Sequence, residues 1–268
     1  MNVSGKRVVI TGGSSGIGFE LAHQLASKGA RLLLTGRDRE KLAAAVERLR
    51  SARADVHGIA GDVTDSSARS ALVDDVAQRL GGIDILVNNA GGVRAGRLEY
   101  ISEDELRTMI DVDLMSPILL TRAFLPALRA SGDGLIVNIA SGIAQMGVPF
   151  YTGYAAAKGG LARFGEALRR ELKGEGVHVI TVFPGATDTP MMATNKADAG
   201  MGFALQPVAD VVGSIVEGIE ADAFEVVRGG DARRAMLDLN RADPAAIDQR
   251  FLDMKPQLEA AVRGHSAL

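Results

Sequence analysis

Ser141, Tyr154 and Lys158 carry the functional groups best suited to chemistry in this 268-residue chain. Tyr154 and Lys158 stand at i and i+4, so on a helix they share one face and the ammonium lies close to the phenol. A free phenol titrates near pH ~10, too high for a base at neutral pH, and a neighbouring positive charge favours the phenolate. Ser141, thirteen positions before Tyr154, ends a β-rich run and can donate a hydrogen bond to an oxygen on which negative charge develops. The set is suited to exchanging a proton at a carbonyl or carbinol oxygen. Tyr151 is the weaker candidate for that proton transfer, because it lies seven positions from Lys158, with Gly153 before the helix proper.

A second set opens the chain. The first β-rich run ends at Thr11 and leads into Gly12-Gly13-Ser14-Ser15-Gly16-Ile17-Gly18. A strand, a glycine turn and a helix N-terminus together present free backbone N–H groups to an anion, and the glycines let a pyrophosphate approach the main chain. Gly12, Gly16 and Gly18 supply the turn, Ile17 opens the helix, and Ser14 and Ser15 add hydroxyl donors. The same stretch, Gly12-x-Ser14-x-Gly16, also fits the nucleophile elbow of a serine hydrolase, with His178 or His265 as base. At the end of the second strand, Gly36 leaves room for a 2′-phosphate and Arg37 can pair with it, so NADP(H) is expected over NAD(H). Asp38 reads as the N-cap of the helix that begins near Arg39. Asp62-Val63 follows the third strand, where the carboxylate could accept an adenine amino group or cap the next helix.

Seven runs read as strands: Arg7–Thr11, Arg31–Thr35, Asp55–Ala60, Ile83–Asn88, Gly134–Ala140, Val177–Phe183 and Phe224–Arg228. They are apolar nearly throughout and separated by helix-length segments. That pattern predicts one α/β domain over 1–268, a doubly wound parallel sheet of strand order 3-2-1-4-5-6-7 with helices on both faces. Thr187–Gln206, with Met191, Met192, Met201 and Phe203 among small polar residues, is too long for an ordinary connection and reads as a substrate lid. Residues 231–268 read as a C-terminal helical extension, and Pro117 should kink a helical pattern spanning Glu103–Arg129.

The bulk composition narrows the partners. A net charge of -3, from 30 basic and 33 acidic residues, offers no footprint for nucleic acid or an anionic membrane. No cysteine is present, and His23, His57, His178 and His265 show no ligand spacing, so no metal site is expected. Without an apolar leader or a run of about 18 apolar residues, a cytoplasmic protein is expected.

With these motifs in order, the chain resembles the short-chain dehydrogenase/reductase family over residues 5–230. The matching pieces are Thr11–Gly18, Asp62, Asn88-Asn89-Ala90-Gly91, Ser141, Tyr154-Ala155-Ala156-Ala157-Lys158, and Pro184-Gly185-Ala186-Thr187-Asp188-Thr189. The resemblance implies a Rossmann-type fold, NAD(P)-dependent carbonyl reduction or alcohol oxidation, and a homo-oligomer, tetramer or dimer, built on the helices carrying Tyr154 and the Pro117 region. It places Asn89, Ala90 and Gly91 on the adenosine and ribose side and Lys158 on the nicotinamide ribose. Pro184, Gly185, Thr187 and Thr189 fall on the carboxamide side. It also exposes a departure: relatives usually carry Asn where this chain has Asp113. That Asn is thought to hold a water linking Lys158 to solvent. An ionised carboxylate there would offset the charge that acidifies Tyr154. A cofactor-binding regulator that has lost turnover is therefore a second reading. Ile143, Met146, Val148 and Phe150, with the lid, suit a hydrophobic ketone or alcohol, and Arg94 and Arg97 could meet a substrate carboxylate.

Overall fold

The computed structural model describes residues 1–52 and 54–268. Strands β1 (Arg7–Thr11), β2 (Arg31–Gly36), β3 (Val56–Ala60), β4 (Ile85–Asn88), β5 (Gly134–Ile139), β6 (Val177–Phe183) and β7 (Glu225–Val227) form one sheet. All its pairs are parallel, in the order β3-β2-β1-β4-β5-β6-β7. The central strands are largely apolar because helices cover both faces. Val8 and Ile10 enter a core with Leu21 and Leu25 of α1 (Gly16–Ser27) and Val211 and Ile215 of α7 (Val208–Glu220). Val9, between them, points the other way, into a core with Leu72 of α3 (Ser66–Leu80), Leu120 and Phe124 of α5 (Ser116–Ala130), and Leu168 of α6 (Thr152–Glu171). Each such aliphatic side chain contributes about 1.5–3 kcal/mol by leaving water, so the sheet is a rigid frame for the loops at its carboxyl edge.

Local signals fix where the helices start. Asp38 accepts N–H bonds from Glu40 and Lys41, both at 3.0 Å, and so caps α2 (Arg39–Ser51) as its sequence position implied. Asp65, not Asp62, caps α3 through Ser67 and Ala68. Ser102 and Glu105 form a capping box on α4 (Glu103–Ile110).

The Glu103–Arg129 pattern is not one helix kinked at Pro117. A π-helical turn over Asp111–Met115 separates α4 from α5, and Pro117 lies in the first turn of α5. Proline has no N–H to return to the carbonyl four residues back, so the ladder widens one turn earlier. The Ser116 N–H bonds Asp111 O, five residues back, and the Ser116 hydroxyl donates to the same carbonyl at 2.7 Å. This wide turn carries Asp113.

Beyond β7, α8 (Gly230–Ala242) and α9 (Pro244–Ala261) pack on each other. The last residues then return to the sheet edge: the Ala95 N–H donates to His265 O at 3.0 Å and the Ala267 N–H to Val93 O at 2.8 Å. No helix among the described residues is long and apolar enough to cross a membrane.

Candidate active site

One cleft of about 750 Å³ runs along the carboxyl edge of the sheet, and both sets of residues singled out by sequence open onto it. At one end lies the turn after β1. Asn89, just beyond β4, ties that turn down: its Nδ2 donates to Thr11 O at 2.8 Å and to Gly12 O at 3.1 Å. Thr11 Oγ1 accepts the N–H groups of Asn89 and Ala90, both at 2.9 Å. Helix α1 comes so close that a Cβ on Gly18 would run into the Gly12 carbonyl oxygen and the Asn89 amide. Ser15, the N-cap of α1, makes no side-chain cap and the first turn holds no acid. The leading N–H groups, beside Gly16 and Ile17 on the cleft wall, are therefore available to an anion. This cradle fits a dinucleotide pyrophosphate.

Arg37 stands exposed at the same end, with Gly36, Ser14 and Lys41 around it on the wall. Asp62 and Val63 line the wall too. The Asp62 carboxylate accepts from the Thr64 N–H at 2.9 Å and the Thr64 hydroxyl at 2.7 Å.

At the other end the geometry is that of buried side chains. Tyr154 and Lys158, on one face of α6, are 8% and 3% exposed, and Asp113 is fully buried. Lys158 Nζ sits 5.9 Å from the Tyr154 ring centroid, 3.0 Å from Asp113 Oδ1, and 2.9 Å from Ile139 O, to which it donates. Asp113 also accepts the Gly92 N–H, at 3.2 Å and 3.3 Å to its two oxygens. Gly91 makes room for this pair, since a Cβ there would stand 2.5 Å from Asp113 Oδ1. Ser141, just beyond β5, lines the cleft with Tyr154, and its hydroxyl oxygen accepts the Ile143 N–H at 3.3 Å.

Burial pushes Tyr154 above its ordinary value and the Asp113 charge adds to the rise, while Lys158 and the Ser141 hydroxyl pull it down. Burial likewise raises Asp113, against the pull of Lys158 and the Gly92 N–H. Burial opposes the Lys158 ammonium, yet Asp113 and Tyr154 outweigh it and hold its pKa above the usual range. The three groups titrate as one unit, and Asp113 cancels much of the charge that Lys158 would present to Tyr154.

Thr187 and Thr189, with Pro184 and Gly185, line the cleft between the two ends. The Thr187 hydroxyl donates to Gly185 O at 3.0 Å and the Thr189 hydroxyl to Thr187 O at 3.3 Å.

The family profile described as short chain dehydrogenase matches residues 6–200. The protein belongs to that family. Among its relatives, ketoacyl reductase HetN of Nostoc sp. is 31% identical over 255 residues, covering 93% of this chain and 89% of that one. The 3-oxoacyl-[acyl-carrier-protein] reductase FabG of Escherichia coli is 33% identical over 224 residues, covering 84% and 91%. A short chain dehydrogenase/reductase from Burkholderia phymatum, solved with NAD, superposes with a TM-score of 0.83 at 27% identity, covering 91% and 95%. A variant of actinorhodin polyketide ketoreductase, solved with NADPH, gives 0.77 at 28%, covering 86% and 97%.

Other expectations for this short-chain dehydrogenase divide. Ile143, Met146 and Val148 line the cleft with Met191, Met192, Met201 and Phe203 of segment 187–206, whereas Phe150 is buried outside it. Parallel pairing of Thr187 with Gln206 pins the base of that segment, and Asn195 donates to the Tyr151 hydroxyl at 2.8 Å. Tyr151 is thus engaged by that segment and stacked on Phe203. Arg94 and Arg97 do not line the cleft; they pair with Glu105 and Glu259, at 2.8 Å and 2.5 Å. Among the described residues neither histidine bonds Ser14: His178 is exposed at the amino end of β6, and His265, on the cleft wall, bonds the Thr194 hydroxyl at 2.9 Å through Nδ1. The serine hydrolase reading is set aside on that geometry. Among the described residues no group of three or more His, Cys, Asp and Glu could hold a metal. Arg228, Arg233, Met236, Arg250, Phe251 and His265 also line the cleft. Spacing alone could not reveal them, because the folding back of the C-terminal segment brings them there.

Proposed function

We propose that the protein is an NADP(H)-preferring oxidoreductase that interconverts a ketone or aldehyde and an alcohol. The observation that carries this reading is the convergence of Ser141, Tyr154 and Lys158 on the same cleft whose far wall is the glycine cradle with Arg37. A bound nicotinamide cofactor supplies hydride to the carbonyl carbon, or accepts it from the carbinol carbon. The protein's own residues do the rest. Ser141 donates a hydrogen bond to the substrate oxygen and Tyr154 gives that oxygen its proton in reduction, or takes it in oxidation. Lys158 holds the nicotinamide ribose and biases the Tyr154 phenol. Asp113, bonded to Lys158 and the Gly92 N–H, positions the ammonium and limits that bias. Gly12, Ser14 to Gly18, Asn89 to Gly91 and Asp62-Val63 hold the adenosine and pyrophosphate portion. Pro184, Gly185, Thr187 and Thr189 orient the carboxamide.

Arg37 at the adenosine end favours NADPH, since a guanidinium makes charge-assisted contacts to a 2′-phosphate. Titration of the enzyme with NADPH and NADH, followed by a ketone screen with the tighter cofactor, tests the reading. A carbonyl-dependent loss of reduced cofactor is expected, and tight NADPH binding without reduction of any carbonyl contradicts it. That second outcome is what a cofactor-binding regulator would give, a reading favoured by the Asp113 carboxylate beside Lys158. Assembly as a homo-oligomer through α5 and α6 belongs to the same proposal and is checked by light scattering.

A further inference from the structure

The substrate end of the cleft is basic without an acidic counterpart. The carboxylates on the cleft wall, Asp38 and Asp62, stand at the adenosine end, and Asp113 is enclosed behind the wall. Three arginines line the opposite region, Arg228 just after β7 and Arg233 and Arg250 from the C-terminal helices. Arg228 is occupied: its Nε donates to Gln206 Oε1 at 3.0 Å and its Nη1 to Ser214 Oγ at 2.8 Å. Arg250 is exposed at the rim.

Arg233 is different. Its backbone lies in the first turn of α8, and its guanidinium reaches across to donate one N–H to the Gly142 carbonyl. Among the described residues no carboxylate pairs with it. Burial alone acts on its pKa, lowering it, whereas ion pairing raises Arg7 and Arg97. A cation partly withdrawn from water with most of its donors unused is costly unless an anion arrives to meet it. A carboxylate matches the free edge of a guanidinium and can bond it through both oxygens.

Position narrows the class of that anion. Gly142 follows Ser141 directly, and consecutive Cα atoms are about 3.8 Å apart. The carbonyl that holds Arg233 thus belongs to the residue next to Ser141, and Arg233, Ser141 and Tyr154 line the same cleft. Beyond Arg233, Met146, Met236 and Phe251 form an apolar wall. Building on the oxidoreductase reading, we infer that the substrate is an oxo acid whose free carboxylate, a few atoms from the reacting carbonyl, is received by Arg233. Its remaining carbons lie along the Met146 wall.

The test uses the NADPH-loaded enzyme titrated with matched pairs, pyruvate against methyl pyruvate and 3-oxohexanoate against methyl 3-oxohexanoate. Binding is read from nicotinamide fluorescence and turnover from NADPH consumption. The acid of at least one pair should bind about 10- to 100-fold more tightly than its ester. Arg233→Met should collapse that ratio toward one with unchanged affinity for NADPH, and Arg233→Lys should recover part of it; thermal melts check that both fold. Three results overturn the inference: esters bound as tightly as acids by the parent enzyme, a ratio unmoved by Arg233→Met, or a loss of NADPH affinity in that variant, which would put Arg233 on a cofactor phosphate. Failure of the oxidoreductase reading looks different: no NADPH binding, or turnover that Tyr154→Phe does not slow.

Discussion

The two ends of the cleft are made of different materials. The glycine end is backbone and exposed side chains: free N–H groups at the start of α1, a turn locked by Asn89, and Arg37 in solvent. The proton-transfer end is a set of side chains from the π turn, α6 and the residues just after β5, with Asp113, Lys158 and Tyr154 almost out of water. Binding an anion on main-chain donors needs shape, so that end fails when an atom is added. Moving a proton needs tuned charges, so the other end fails when a charge is removed, and each removal changes the neighbours' titration as well.

Lys158→Met should show this most strongly. Turnover is expected to fall by about 10³- to 10⁴-fold. The variant should also lose about 3–5 kcal/mol at neutral pH, because Asp113 is left buried without its partner. Burial raises the folded-state pKa of Asp113. The lone carboxyl is therefore tolerated below its unfolded pKa, and the deficit grows as pH rises through the folded value. Urea titrations at pH 5 and 7 read the effect, and adding Asp113→Asn should remove most of its pH dependence.

At the glycine end the matching change is steric. Gly18→Ala places a methyl against the Gly12 carbonyl and the Asn89 amide, and should cost about 1–3 kcal/mol of stability while weakening NADPH binding. Gly213→Ala in α7, where a Cβ meets open space, should instead stabilise by about 0.5–1 kcal/mol. Melting curves and cofactor titrations would show whether the two behave alike, which would refute the close approach of α1 to the turn.

Smaller effects follow from exposed or partial charges. Arg37→Ala should reduce the NADPH-over-NADH preference by about tenfold, less at high salt, as binding at two ionic strengths would show. Asp113→Asn should free the charge on Lys158 to act on Tyr154, moving the pH–rate limb for alcohol oxidation about one unit toward acid. Identical profiles for the two proteins would remove Asp113 from the proton-transfer unit.

The sheet was legible because its signals are local: most strands are largely apolar runs, and several of the helix-length gaps carry a cap such as Asp38 or Ser102. The glycine turn and the Tyr154–Lys158 pair were legible for the same reason, as fixed spacings on one element. What depends on distant packing was not. Pro117 marks a disturbance, yet nothing in its neighbourhood distinguishes a kink from the π turn that sets Asp113 against Lys158. Arg94 and Arg97 looked free because Glu105 and Glu259 are distant in sequence. Arg233 and His265 reach the cleft only after α8, α9 and the final residues fold back across the sheet edge.

The Tyr154 hydroxyl, as the group that exchanges a proton with the substrate oxygen, bears the most weight in this mechanism. Steady-state reduction of a turned-over ketone, measured from pH 6 to 10 for the parent and Tyr154→Phe together with NADPH titrations of both, tests it directly. The mechanism predicts equal NADPH affinity and a rate at least about 10²- to 10⁴-fold lower in the Phe variant across that range. Parent-like turnover by Tyr154→Phe would contradict it.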